Sequence, residues 1–149
     1  MTGTTTRYHA AVVGAFRILV VLEAITFLVG ALLHLGVRIP LGFAVLVEPR
    51  IPDAVIVEGL CGLFLSVGAY AMFTRKAWAW AALVAAHVFA VAGVLLGIGA
   101  LAVGLGPTTE LNYVYHRTIL VVLVAGLVLL WTPSVKEALG RGDRASQRR

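Results

Sequence analysis

At 149 residues, 60% hydrophobic and only 13% charged, the chain lies far from the soluble balance of about 25% charged residues and falls in the membrane class. Its net charge of +5 and pI near 10.0 do not point to nucleic acid, because the basic residues flank apolar runs and no RNA- or DNA-binding motif is present. One cysteine, Cys61, excludes an intrachain disulfide and a cysteine-based metal cluster, and its place within an apolar run predicts a buried core role.

The first apolar segment is longer than the core of a signal peptide and lacks a small-residue cleavage site, so it reads as retained. About 20 apolar residues cross a bilayer, and four runs satisfy this: 11–36, 54–73, 77–105 and 113–131. Backbone groups in lipid must be bonded internally, and the alternation of a membrane strand is absent, so the expected fold is all-α, a four-helix membrane bundle over 1–132. Between the first two runs, residues 37–53 repeat Arg-Ile-Pro at 38–40 and 50–52 around an apolar centre. The two X-Pro steps stop helix propagation, and a cap over the mouth of the bundle is expected. Pro107, Thr108, Thr109 and Glu110 resemble a helix start. Thr132 to Glu137 predict a short interfacial helix with Ser134 and Glu137 as its capping box, followed by a polar basic tail to residue 149 that is expected to be disordered.

Orientation follows from lysine and arginine. Arg7, Arg17, Arg75, Lys76, Lys136, Arg141, Arg144, Arg148 and Arg149 fall on one side, against Arg38, Arg50 and Arg117 on the other. The positive-inside rule places both termini in the cytoplasm and the 37–53 and 106–112 loops outside, giving a multi-pass protein of the cell membrane. Trp78, Trp80 and Trp131 then lie at inner span ends, and Tyr113 and Tyr115 at an outer one, where amphipathic rings settle.

Ionisable residues within the spans are the candidates for function. Glu23 and His34 are eleven residues apart, roughly three turns and about 16 Å along one helix face. Converting position into depth gives two tiers: Glu23 with His87 near mid-membrane, and His34, Glu58 and His116 near the outer mouth, joined by Arg117 and Asn112. Glu58, Gly62 and Ser66 recur at four-residue spacing, a small and polar stripe suited to close helix packing, and Glu23, Gly30 and His34 form a similar face on the first helix.

Three functional readings fit this pattern. As structural elements, Glu23 pairs with His87, and Glu58 with Arg117 or His116, to fix helix register in an accessory component that binds lipid, a second copy or another membrane protein. As a line of titratable groups, the same residues suit proton or small-solute transport. As ligands, His34, Glu58 and His116 suit a divalent metal with an open position, and His34 with His116 suits an axial haem pair in a membrane redox protein. No nucleophile is paired with a base, because Ser66 has no histidine at its depth and Cys61 no activating group.

The segment RILVVLEAITFLVGALLHLG, Arg17 to Gly36, resembles the opening helix of the small DoxX-like four-helix membrane proteins. The likeness covers the first quarter of the chain and the four-span layout. It implies a bundle and, as the family has been linked in different cases to quinone or thiosulfate oxidation and to redox-associated membrane complexes, a place near redox chemistry. It assigns no role to Glu58, His87 or His116.

Overall fold

The computed structural model describes residues 2–107 and 109–146, with side-chain surroundings for 7–107 and 109–140. It contains five helices, α1 (Thr2–Leu35), α2 (Pro52–Phe73), α3 (Ala79–Ala102), α4 (Glu110–Leu130) and α5 (Pro133–Ser146). The first four, α1 from Arg7 onward, are long and apolar enough to cross a membrane. Each packs against the next, and α4 returns to α1.

The outside of the assembly is as apolar as its core. Ile18, Leu96, Val121 and Val128 are all exposed, whereas Glu23, His34, Glu48, Glu58, His87, Asn112 and His116 are buried. Large apolar side chains turned outward over four helices, with Glu23, Glu58 and three histidines turned inward, invert the arrangement expected in water.

The helix ends follow local rules. At the end of α1, Val37 N–H donates to Leu32 O and Gly36 N–H to Leu33 O, both at 2.9 Å, a Schellman closure that needs a left-handed residue, and Gly36 supplies it with φ +99°. The same closure ends α2, where Lys76 donates to Ala71 and Arg75 to Met72, but there Arg75 itself takes φ +55°. The connection from α2 to α3 is thereby held to a few residues, which sets the two helices antiparallel. Thr109 begins α4 as the predicted start signal required, its hydroxyl accepting from Asn112 N–H at 3.0 Å.

Three local expectations need correction. Helix α1 begins at Thr2, well before residue 11, since nothing in the preceding threonines breaks a helix already nucleated by the apolar run. Ser134 does not cap α5: Pro133 takes the first helical position, and the Ser134 hydroxyl is instead hydrogen-bonded to His9 Nδ1 at 2.7 Å. The expected disordered tail is helical as far as Ser146, and residues 147–149 lie outside the described residues.

The 37–51 connection is a small hairpin. Two-residue strands β1 (Ile39–Pro40) and β2 (Val45–Leu46) pair antiparallel with Ile39 opposite Leu46, and Leu41 N–H donates to Ala44 O across the turn at 2.8 Å. Phe43 at its tip is 90% exposed. The returning limb is anchored: Ile51 N–H donates to His34 O at 3.2 Å, and the Thr109 hydroxyl donates to the Glu48 carboxylate, 2.9 and 3.0 Å from its two oxygens.

Two apolar clusters divide the interior. One, at the end carrying the 74–78 turn and α5, joins Phe16, Val20, Ala79, Leu83 and Leu130 to Val135 and Leu139 of α5. The other, further toward the hairpin, joins Ala24, Phe27, Cys61, Leu65, Ala90, Ile119 and Leu123.

Candidate functional site

The two tiers of polar residues occupy different surroundings. Glu23 of α1 meets His87 of α3, with His87 Nε2 3.1 Å from Glu23 Oε2 and both side chains 0% exposed. His87 Nδ1 donates to Leu83 O one turn back on its own helix at 2.7 Å, because a carbonyl can only accept. Nε2, the nitrogen left over, is therefore the one that faces the Glu23 carboxyl group. The alignment is poorer than the distance, so the contact is a close polar approach between two buried groups and not a well-formed hydrogen bond. Phe16 stacks beside the imidazole at 6.4 Å between centroids, and Gly126 of α4 makes room for it: a Cβ there would stand 2.7 Å from His87 Nε2 and 3.1 Å from Glu23 Oε1.

The hairpin end is organised around space. A cavity of about 250 Å³ lies among the helix ends, its apolar wall built from Phe27, Val57, Val94, Leu96 and Leu101, and its polar wall from His34, Glu58, Asn112, Tyr115 and His116. A second cavity of about 170 Å³ lies between α1, α4 and the hairpin, reaching Leu46 and Glu48. His34, Glu58, Asn112 and Tyr115 line both and form the partition between them.

Each histidine here is anchored by Nδ1. His34 donates to Pro49 O at 3.1 Å, which ties the hairpin to α1, and His116 donates to Asn112 O at 2.9 Å. His34 Nε2 stands 3.8 Å from Glu58 Oε1, too far for a hydrogen bond. His116 Nε2 lies against Gly97, where a Cβ would approach to 2.7 Å. The Glu58 carboxylate rests on Gly30 of α1, close enough that a Cβ at Gly30 would overlap it and would lie 3.3 Å from the Tyr115 hydroxyl. Both Glu58 oxygens, Asn112 Oδ1 and Tyr115 Oη are buried with no hydrogen-bond partner. Buried polar atoms are nearly always satisfied, so orphans gathered on one cavity wall require explanation.

The predicted site residues therefore separate. Glu23 and His87 meet, and His34, Glu58 and His116 share one cavity. Arg117 departs from its expected place: it is exposed, its guanidinium 3.4 Å over the Tyr113 ring and its Nη1 donating to Tyr113 O. One residue beyond His116 on a helix is a turn of about 100°, enough to carry Arg117 out of the cavity. Tyr115, expected at the interface beside Tyr113, instead directs its hydroxyl inward. The small and polar stripe of α2 packs as its spacing implies, with a Cβ at Gly62 2.8 Å from the Leu28 side chain and Ser66 donating to Gly62 O on its own helix.

No group of three histidine, cysteine, aspartate or glutamate side chains is disposed to hold a metal ion among the described residues, so His34, Glu58 and His116 line a common space without forming a first coordination shell. The haem expectation has no better geometry, since His34 Nε2 is directed at Glu58 and His116 Nε2 at Gly97, not at each other across a slot.

Sequence reasoning missed Glu48, and it placed Gly30 on the polar face of the first helix without the partner that it meets there. Glu48 sits in a connection where no periodic rule operates, but its position between Val47 and Pro49 in an apolar limb was a signal of burial. Gly30, four residues before His34 on the same face of α1, marks the place where Glu58 enters. Comparison of the chain with protein-family models, with curated proteins and with solved structures finds no match.

Proposed function

We propose that the chain is a multi-pass membrane protein, a four-helix bundle with both termini in the cytoplasm, that binds a small and largely apolar molecule in the cavity at its extracytoplasmic end. The observation that carries this reading is the set of orphaned polar atoms on Glu58, Asn112 and Tyr115, residues that line a 250 Å³ cavity together with His34, Asp53, His116 and a larger apolar wall. Ligand sites combine an apolar enclosure with a few convergent polar groups, and a ligand head would satisfy the atoms that the protein leaves without partners. The basic residues at the α2–α3 turn and along the tail favour the stated orientation.

The mid-membrane pair serves packing on this reading. Glu23 precedes Gly30, where Glu58 rests, by seven residues, about 10 Å along the axis. The layer of Phe27, Cys61, Leu65 and Leu123 occupies that interval, all of it buried and apolar. Such a layer supports a register-fixing role for Glu23 and His87 over a continuous proton path.

The test uses purified full-length protein in detergent and 1-adamantanol, a compact apolar alcohol. Saturable stabilisation is expected, reaching about 2.7 kcal/mol at a hundredfold excess over Kd, and Val94→Trp, which fills the apolar wall, abolishes it. A response that rises without saturation, or that is the same in Val94→Trp, refutes the pocket. A reporter fused after Arg149 checks the orientation, and extracytoplasmic activity overturns it.

A further inference from the structure

The proton inventory of the cavity wall is one-sided. His34 and His116 each spend Nδ1–H on a backbone carbonyl, so Nε2 is the atom each ring has left, and in the neutral form it is a lone pair. Glu58 adds a carboxyl group with two partnerless oxygens, and Asn112 an unpaired carbonyl oxygen. Asp53 lines the same cavity, and a second buried carboxylate, Glu48, lines the adjoining one. Against these acceptors, the unspent donors are the Tyr115 hydroxyl and the Asn112 amide. The arginines at this end, Arg38, Arg50 and Arg117, are all exposed, and none lines either cavity.

Resting on the binding function proposed above, we infer that the ligand carries an amine head on a compact apolar body, bound as an ammonium against Glu58 with its remaining N–H groups toward imidazole nitrogen. An ammonium supplies three donors and one positive charge to a wall richer in acceptors than in donors and without arginine or lysine, whereas a carboxylate or ketone head would set lone pair against most of these acceptors. The protons balance by either route. An ammonium meets an ionised Glu58, or a neutral amine takes the proton of the Glu58 carboxylic acid; both end as one ammonium–carboxylate pair, with the imidazole protons unchanged. Gly30 leaves no side chain between the Glu58 carboxylate and α1, which seats it in the partition between the two cavities.

The experiment compares three probes with one body and different heads, 1-adamantylamine, 1-adamantanol and 1-adamantanecarboxylate, by calorimetry on the full-length protein in detergent. The amine is expected to bind at least about tenfold more tightly than the alcohol, a difference of about 1.4 kcal/mol, and the carboxylate not to bind saturably. In Glu58→Gln the amine-to-alcohol ratio falls toward one. Equal affinity for amine and alcohol in the unaltered protein, or tighter binding of the carboxylate, overturns the amine assignment while leaving a pocket in place. Failure of all three probes removes the pocket itself and the inference with it. The comparison of heads on the unaltered protein needs no variant, so it decides the question even if Glu58→Gln does not fold; His116→Phe, which removes one lone pair, then serves as the second variant and should lower the same ratio.

Discussion

Replacing Glu23 by leucine leaves His87 Nε2 buried, 0% exposed, with nothing to meet it, while Nδ1 stays bonded to Leu83. An orphaned buried polar atom costs about 1–3 kcal/mol, and leucine fills a volume close to that of glutamate, so the loss should be about 2 kcal/mol. Glu23→Gln keeps an N–H that can point at the Nε2 lone pair, and its cost should stay below about 1 kcal/mol, near the 0.6 kcal/mol average of interhelical hydrogen bonds in membranes. His87→Leu strands the carboxyl group instead and should cost about 3 kcal/mol, the lower end for breaking a buried pair. In Glu23→Leu/His87→Leu both orphans are gone, and the double variant should lie within about 1 kcal/mol of the unaltered protein. Reversible unfolding by SDS in mixed micelles, followed by helical circular dichroism, reads all four proteins on one scale. Additive effects in the cycle, or a glutamine variant as unstable as the leucine one, would refute the view that each member of the pair serves as the other's polar partner.

Gly30→Ala drives a methyl group into the Glu58 carboxylate, so the overlap should cost about 1–3 kcal/mol and lower amine affinity, read by the same unfolding titration and calorimetry. Thr109→Val removes both the N-cap of α4 and the hydroxyl that holds Glu48; a loss of about 1–2 kcal/mol is expected, with faster amide exchange at Asn112 and in the hairpin. Arg117→Ala should change stability by less than about 0.5 kcal/mol and leave ligand affinity intact, because its guanidinium lies on the exposed face over Tyr113. A drop in affinity in that variant would place Arg117 in the site after all.

The helices and the meeting of Glu23 with His87 were legible because one number, the rise per residue, converts sequence position into depth, and an antiparallel chain then pairs equal depths. The same arithmetic put His34, Glu58 and His116 at one level. It said nothing of azimuth, and there it erred: Arg117 and Tyr115 share the level of His116, yet the first turns out and the second in. Loop residues follow no period, which is why Glu48 was overlooked although the Thr109 cap that binds it was read directly from Pro107 to Glu110. What the glycines face was hidden for another reason, even at Gly30, which the pattern of the first helix had marked. Gly30, Gly97 and Gly126 lie on three different helices, and each matters for the side chain it faces on a neighbour, a relation that no single helix records.

The anchoring of the imidazoles sets α1 apart from α3 and α4. His87 and His116 bond to carbonyls four residues back on their own helices, so each ring is half satisfied as soon as its helix forms. Neither ring needs a neighbouring helix to meet its Nδ1. His34 differs, since its acceptor, Pro49, belongs to the hairpin. The end of α1 is complete only with residues 37–51 folded back over it, and the same fold brings Leu46 and Glu48 to the wall of the smaller cavity.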